Sequence, residues 1–286
     1  MKKLILLTLC ILLLTGCAVT YDGPTVDKPV LTAHTVFHYS FNGFHYANHT
    51  TFAYDIYGNR VRSMEYRDGE LLQVTNMKYD DRGNIISKTV WDHSGWFPRF
   101  DRREKQTYDP QGRLLSDITY NFWGRQIYGS WYTYDDTAGT RTWTDSEGST
   151  QTTWYDEMGR ELRQIAGEYE TIYVYDDRGN LVSWVSYHNG APSDSYQARY
   201  DDRNRLIWGA RYDSQGNLQS ESEYIFDDEA HTMTFHRPDG QVRYEYYHPD
   251  GRPARIEDYN EAGDLSLVQE YTYRDIKIPA EGGNAP

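Results

Sequence analysis

The chain has 286 residues, of which 43 are acidic and 29 basic, so its formal net charge is −14 at pH 7. A charge of this sign argues against nucleic acid as a partner and against electrostatic docking to anionic lipid. Tyrosine is frequent, with 27 copies beside 8 Trp and 9 Phe. Because aromatic residues suit the pleated, half-buried surface of a sheet, we expect an all-β protein.

The first 16 residues are typical of an export signal. Two lysines precede an apolar run at residues 4–14, which is shorter than the roughly 20 residues of a membrane-spanning helix. The run ends in Leu-Thr-Gly-Cys at residues 14–17, which resembles the lipobox of bacterial lipoproteins. The alternative is an ordinary cleaved signal in which Cys17 is incidental.

The lipobox resemblance implies cleavage before Cys17 and a covalent lipid on its thiol, with acyl chains such as palmitate. It also implies that the lipid holds the chain to a bilayer in the bacterial cell envelope. Ala18 after the cysteine favours the outer membrane. No other cofactor is expected.

Residues 17–33 are predicted to be a flexible tether, because they contain Gly23, Pro24 and Pro29. Cys10 leaves with the signal and Cys17 carries the lipid. We therefore expect no disulfide, and stability must come from packing and backbone pairing.

Four histidines lie close together at the start of the predicted folded domain. They are His34, His38, His45 and His49. Asn42-Gly43 is a two-residue hairpin signal, and pairing across it sets His38 opposite Ala47 and puts all four imidazoles on one face. Imidazoles suit zinc or copper, so this face is a candidate site for weak zinc binding. The alternative is a solvated polar face that happens to use histidine.

One phrase then recurs along the chain, Tyr-Asp-x-x-Gly followed by Asn or Arg. Clear copies begin at Tyr54, Tyr79, Tyr108, Tyr155, Tyr175 and Tyr212, and looser copies at Trp91, Tyr120, Tyr134, Tyr200, Phe226 and Tyr259. Many neighbouring copies lie about 12 residues apart, which leaves roughly 7 residues for a strand and 5 for a turn.

The phrase has the chemistry of a hairpin turn. Asp opens a type I turn, and its carboxylate can accept a backbone N–H two residues on. Gly at the fourth position supplies the positive φ that ends such a turn with a bulge. Successive hairpins predict an antiparallel meander of roughly 16 to 20 strands over residues 34–275, which forms one long twisted or curled sheet.

These phrases resemble the YD repeats of the RHS family, also found in teneurins, over most of the chain from Tyr54 to Tyr273. Long members of that family wind the repeats into a closed shell around a cargo. This chain is too short for a large shell, and we find neither the Pro-rich signature that ends the shell nor a toxin domain after it. The resemblance therefore implies strand-turn architecture without encapsulation.

The segment between Trp91 and Tyr108 departs from the spacing of the repeat and combines aromatic with basic residues. It contains Trp96, Phe97, Arg99, Phe100, Arg102 and Arg103. Aromatic rings and arginine are common at binding hot spots, so these six residues are a candidate binding site. The alternative is a longer hairpin whose aromatic side chains fold back onto the sheet. The last residues, 276–286, are predicted to be a disordered tail.

Sequence motifs of catalysis are lacking: there is no Gly-x-Ser-x-Gly, phosphate-binding loop, His-Glu-x-x-His or Gly-x-Gly-x-x-Gly. The motif aspartates are explained by their turn position. We therefore expect a non-enzymatic protein without catalytic residues, which acts as a binding or scaffold module in the envelope.

The expected partner is a protein, and an immunity role against a toxin is one version of that hypothesis. The alternatives are a glycan-binding surface lipoprotein and a hydrolase with an unmarked carboxylate pair. Aromatic side chains outside the strand alternation would favour the glycan, and two acids converging in a deep cleft would favour the enzyme.

Overall fold

A computed structural model describes residues 25–40 and 43–279, without the side chains of residues 40 and 43–45. In these ranges the regular structure consists of 20 strands, each antiparallel to its neighbours. This confirms the predicted all-β class and the predicted number of strands. Among the described residues there is no helix with the length and apolar character to cross a bilayer.

The strands follow one another along the chain with short connections. In chain order they are β1 Thr25–Ser40, β2 Gly43–Tyr54, β3 Arg60–Arg67, β4 Glu70–Tyr79, β5 Ile85–Asp92, β6 Arg99–Tyr108, β7 Leu114–Tyr120, β8 Gln126–Asp135, β9 Thr140–Asp145, β10 Thr150–Tyr155, β11 Glu161–Ala166, β12 Tyr169–Tyr175, β13 Leu181–His188, β14 Ala191–Tyr200, β15 Leu206–Asp213, β16 Leu218–Asp227, β17 Thr232–His236, β18 Val242–Tyr247, β19 Pro253–Tyr259 and β20 Leu265–Pro279.

The sheet closes on itself. Each strand pairs with the one before it and the one after it, and β1 pairs with both β2 and β20. The structure is therefore a closed barrel of 20 strands, whereas the sequence predicted a long twisted or curled sheet without closure. Where all three strands overlap, β1 has β2 on one side and β20 on the other, and β20 likewise lies between β1 and β19. A free edge in this part of the sheet would offer unpaired N–H and C=O groups to other chains.

The closing pair corrects two predicted boundaries. Residues 25–33, predicted as tether, belong to β1, and residues 276–279, predicted as tail, belong to β20. Thr25 pairs with Pro279 in that seam. Pro29 pairs with Asp275 of β20 on one side only, because the pairing of β1 with β2 begins at Ala33, and proline in sheets is confined to such edge positions. Residues 1–24 and 280–286 lie outside the described ranges, and the signal and the lipid on Cys17 stay predictions.

Twelve connections share the turn that the repeated phrase predicts. In each, the first residue's N–H donates to the carbonyl four residues on, and the fourth residue's N–H donates back to the first carbonyl. Gly112, at the fourth position, has a φ of 81°. Asn204 takes the same position with a φ of 62°, as asparagine tolerates the left-handed region. The predicted turn chemistry is confirmed.

Alternate turns lie at the same end of the barrel because the strands alternate in direction. One end, the near end, holds the first and last described residues, Thr25 and Pro279, with the turns that follow the even-numbered strands up to β18. The other, the far end, holds the turns that follow the odd-numbered strands. The two turns that flank the candidate binding segment, β5–β6 and β7–β8, are both at the far end.

The wall of the barrel is a single layer. Among the described residues, only strands that are neighbours in the sheet approach within 8 Å between Cα atoms. Few side chains of the described chain are buried, and the hydrophobic ones are Val30, Val90, Ala198, Ala210, Met233 and Val268. The fold therefore depends on the strand ladder and on side chains that pack between adjacent strands, rather than on one central core.

Candidate functional site

The four most exposed aromatic residues of the described chain lie in two adjacent turns at the far end. We define the aromatic end site by its six members, which are Trp91, Trp96, Phe97, Phe100, Phe122 and Trp123. Trp96 is 98% exposed, Phe97 81%, Phe122 66% and Trp123 85%. Exposure of this extent for four large rings is unusual, because soluble proteins seldom leave large contiguous apolar patches facing solvent.

The other described turns of the far end are polar and contain no aromatic residue. Asp68-Gly69, Asn189-Gly190 and residues 214–217 are examples. The aromatic end site is thus a local feature of one arc of this end, and the repeat itself does not require it.

The rings of the aromatic end site stand nearly perpendicular to one another. Trp91 and Phe100 have centroids 5.7 Å apart at 85°, and Phe100 and Phe122 lie 5.8 Å apart at 65°. Phe122 and Trp123 lie 5.1 Å apart at 81°. Such edge-to-face contacts are favourable for aromatic pairs. The rings of Trp91, Phe100 and Phe122, together with the β5–β6 loop, line an open cleft of about 750 Å³, and Trp123 lies outside it.

Asp92 organises the base of the β5–β6 loop. Its Oδ1 accepts the Ser94 hydroxyl at 2.6 Å and the Ser94 N–H at 2.8 Å, and its Oδ2 pairs with the Arg99 guanidinium. The Ser94 hydroxyl, the Ser94 N–H and the Arg99 guanidinium lower the pKa of Asp92, in that order of effect. Trp96 and Phe97 are therefore presented on a loop whose two ends are tied together.

The structure brings together some of the six residues predicted as a binding site and separates others. Trp96, Phe97, Arg99 and Phe100 all line the cleft. Strand alternation in β6 leaves Arg103 exposed and turns Arg102 to the other face, where it pairs with Glu104 at 3.0 Å. The alternative prediction was that the aromatic side chains fold back onto the sheet. This holds for Phe100, which is half-buried, but Trp96 and Phe97 are exposed.

Sequence reasoning missed Phe122 and Trp123. They occupy the second and third positions of the turn Asn121–Gly124, where Asn121 Oδ1 accepts the N–H groups of Trp123 and Arg125, both at 3.0 Å. A signal was present, because two adjacent aromatic residues stand at turn positions that are usually polar. This turn lies beside the β5–β6 loop because β6 pairs with β7, which places the two hairpins next to each other.

The predicted histidine face is wrong. The hairpin pairs Ser40 with Gly43, whereas the prediction paired Phe41 with Phe44. Even after the bulge between His38 and Tyr39, the register differs from the predicted one by one residue, so His38 lies opposite Tyr46 and His49 opposite Thr35. A one-residue shift moves every side chain to the other face of a strand.

The described histidine side chains contact neighbouring tyrosine and threonine side chains, and weak zinc binding stays a prediction. His38 stacks on Tyr46 at 4.2 Å, and His34 stacks on Tyr271 at 4.6 Å. His49, on the opposite face, shares a 2.7 Å hydrogen bond between its Nδ1 and the Thr35 hydroxyl. His45 lies in β2, and its side chain is outside the described part of the chain. Among the described residues no group of three or more His, Cys, Asp or Glu side chains could hold a metal.

The motif aspartates are held by their own turns. Asp176 Oδ1 accepts the N–H groups of Arg178 at 3.0 Å and of Asn180 at 2.8 Å, and Asp176 Oδ2 accepts the Asn180 side-chain amide at 2.9 Å. The Asn180 amide, followed by these backbone donors, lowers the pKa of Asp176. The structural role predicted for these aspartates is confirmed, and the function of the Asn or Arg at the fifth position of the turn was missed.

Comparison with known proteins adds likeness of fold only. No family model matches the chain, and no curated protein matches it. Among solved structures it is similar to TcdB2-TccC3, with 14% identity and a TM-score of 0.29 over 82% of this chain and 18% of that one. A porin-like protein from Bacteroides vulgatus matches with 13% identity and a TM-score of 0.36 over 60% of this chain and 94% of that one. A DUF3836 family protein from Bacteroides vulgatus matches 31% of this chain and 87% of its own, with 15% identity and a TM-score of 0.22.

Proposed function

We propose that this chain is a lipid-anchored, non-enzymatic binding protein of the bacterial envelope, built on YD-type repeats, that holds a protein partner at the aromatic end site. The observation that carries the proposal is the exposure of Trp96, Phe97, Phe122 and Trp123 in two adjacent turns. Aromatic side chains of this kind dominate the energetics of interfaces once they are covered.

The position of the chain ends supports an orientation for this binding protein. Thr25 begins β1 at the near end, eight residues after Cys17, and eight extended residues reach at most about 29 Å. A lipid on Cys17 would therefore keep the near end close to the bilayer. The aromatic end site, at the far end, would face away from that bilayer.

Anchoring is tested by Cys17→Ser, which removes the thiol that takes the lipid. We expect the wild-type protein to stay with the membrane fraction and its amino-terminal peptide to carry acyl chains in mass spectrometry. The variant should lose the acyl chains and leave the membranes. Equal membrane association of the two proteins would contradict the anchor.

Binding is tested by placing a photo-crosslinking amino acid at Trp96 in the full chain in its native envelope. The matched control is Met158, which is 76% exposed in the turn Asp156–Arg160 of the near end. We expect a specific adduct from position 96 and none from position 158. Equal adducts from both positions, or none from either, would contradict binding at the aromatic end site.

A glycan is the second candidate ligand, and one observation favours it. Trp96, Phe97, Phe122 and Trp123 all lie in turns, outside the alternation of the strands, as expected for rings that are free to stack on sugars. An adduct at position 96 that contains polysaccharide and no protein would establish this second candidate in place of the first.

A further inference from the structure

We propose that the occupant of the aromatic end site is an acidic protein surface, which inserts an apolar side chain between the rings and sets carboxylates against Arg103 and Arg125. This inference rests on the proposed function and specifies the partner of the same site. Three properties of the site lead to it: its area, the angles between its rings and the charge around it.

The exposed area is that of one side of a protein interface. Four aromatic side chains of about 150–250 Å² each, exposed to the extents given above, offer on the order of 500–800 Å². A standard protein interface buries about 800 Å² on each partner. A sugar that stacks on one or two rings would leave much of this apolar surface uncovered.

The angles between the rings make a cleft rather than a platform. Successive rings meet at 85°, 65° and 81°, so no two neighbours in this series form a continuous flat surface. A polysaccharide that stacks along its length needs roughly coplanar faces. The rings of Trp91, Phe100 and Phe122 form walls of the open cleft of about 750 Å³, which can accept a protruding apolar side chain.

The charge next to the rings is positive in a protein whose net charge is −14. Arg103 is exposed on β6 and lies opposite Tyr120, the residue before the turn that carries Phe122 and Trp123. Arg125 is exposed at the end of that turn. Within the described residues neither of these arginines forms an ion pair. Free guanidinium groups beside an apolar cleft match carboxylates on a partner.

The experiment extends the photo-crosslinking at Trp96 with two charge reversals in the full, membrane-bound chain. Arg103→Glu reverses a charge beside the site. Lys78→Glu reverses an exposed charge on the same face of the sheet at the near end of β4, and it serves as the matched control. Thermal unfolding of each variant shows whether the fold is kept. Each adduct is treated with protease, with periodate or with neither, and the cross-linked peptide is sequenced.

We expect an adduct that protease removes and periodate leaves, joined to a peptide segment with net negative charge. Its yield should fall at least fivefold in Arg103→Glu, fall with added salt, and stay unchanged in Lys78→Glu. An adduct that periodate removes and protease leaves would overturn the acidic protein partner, while binding at the site would stand. Equal yields from the two charge reversals would overturn the role of Arg103. Equal adducts at positions 96 and 158 would reject the proposed function itself.

Discussion

At the residue scale, the aspartate that opens most turns accepts several hydrogen bonds from its own turn with one carboxylate. Asp80 accepts the N–H groups of Arg82 and Asn84 on one oxygen and the Asn84 side-chain amide on the other. The Asn84 side chain and these backbone donors lower the pKa of Asp80. The carboxylate thus supplies the turn with fixed acceptors that remain ionised to lower pH than usual.

These lowered pKa values predict how stability depends on pH. Asp80, Asp176 and Asp213 each have a pKa below the usual 3.8, with the amide of the Asn at the fifth turn position as the main cause. A carboxyl group whose pKa is lower in the folded state than in the unfolded state stabilises the fold when it is ionised. This contribution is complete above the unfolded pKa and is lost as the pH falls through the folded pKa. The free energy of unfolding should therefore decrease from about pH 5 to about pH 2.

The test replaces these three aspartates by asparagine. Asn121 and Asn260 already open turns with the same backbone hydrogen bonds, so the turns should still form. We expect the triple variant to be less stable than wild type at pH 7 and to approach it near about pH 2 in urea unfolding. Parallel curves for the two proteins over this range would show that the turn carboxylates do not cause the pH dependence.

At the scale of the element, consecutive hairpins are joined by side chains at the near end. The Tyr200 hydroxyl donates to the Leu181 carbonyl at 3.0 Å, so a residue of β14 reaches the first residue of β13. Arg205 lies over the Phe226 ring at 4.3 Å and bonds to Asp228 at 2.6 Å in the next near-end turn. The tyrosine and the basic residue of the phrase therefore connect one turn to its neighbours.

The contribution of this connection is measured with Tyr200→Phe. Removing the hydroxyl takes the side-chain donor from the Leu181 carbonyl and should lower the free energy of unfolding by about 1 kcal/mol. Tyr173→Phe is the matched control, because Tyr173 lies on the same face of the sheet and its hydroxyl forms no hydrogen bond within the described residues. Equal losses in the two variants would assign the effect to packing instead.

At the scale of the whole molecule, the seam between β1 and β20 decides whether the sheet is open or closed. These are the two longest strands, with 16 and 15 residues, and they pair from Thr25–Pro279 to His38–Leu267. The seam also includes residues outside the span of the repeated phrase. A sheet without it would expose two edges of unpaired backbone groups.

The seam is tested by ending the chain at Tyr273, which removes the partners of residues 25–30. We expect a lower melting temperature and self-association in light scattering, because the exposed edges can pair with other copies. A chain that ends at Pro279 keeps the seam and is the control. A monomeric Tyr273 truncation with the melting temperature of the control would show that the outer part of the seam adds little.

Much of the architecture was determined by the sequence alone, because its physics is local. The phrase from Asp176 to Asn180 contains every donor and acceptor of its turn within five residues. Repetition of such a turn sets the strand lengths, the antiparallel direction and the number of strands. The exposed pair Phe122-Trp123 was also readable, as two aromatic residues in the middle of a turn.

Tertiary structure decided what depends on partners distant in sequence. The closure of the sheet and the strand character of residues 25–33 come from the pairing of β1 with β20, about 240 residues away. That pairing accompanies the one-residue register shift that places His49 on the face opposite His38. The aromatic end site likewise exists only because the pairing of β5 through β8 sets Phe122 against Phe100. Local sequence cannot encode such contacts, since each is fixed by which strands meet and in which register.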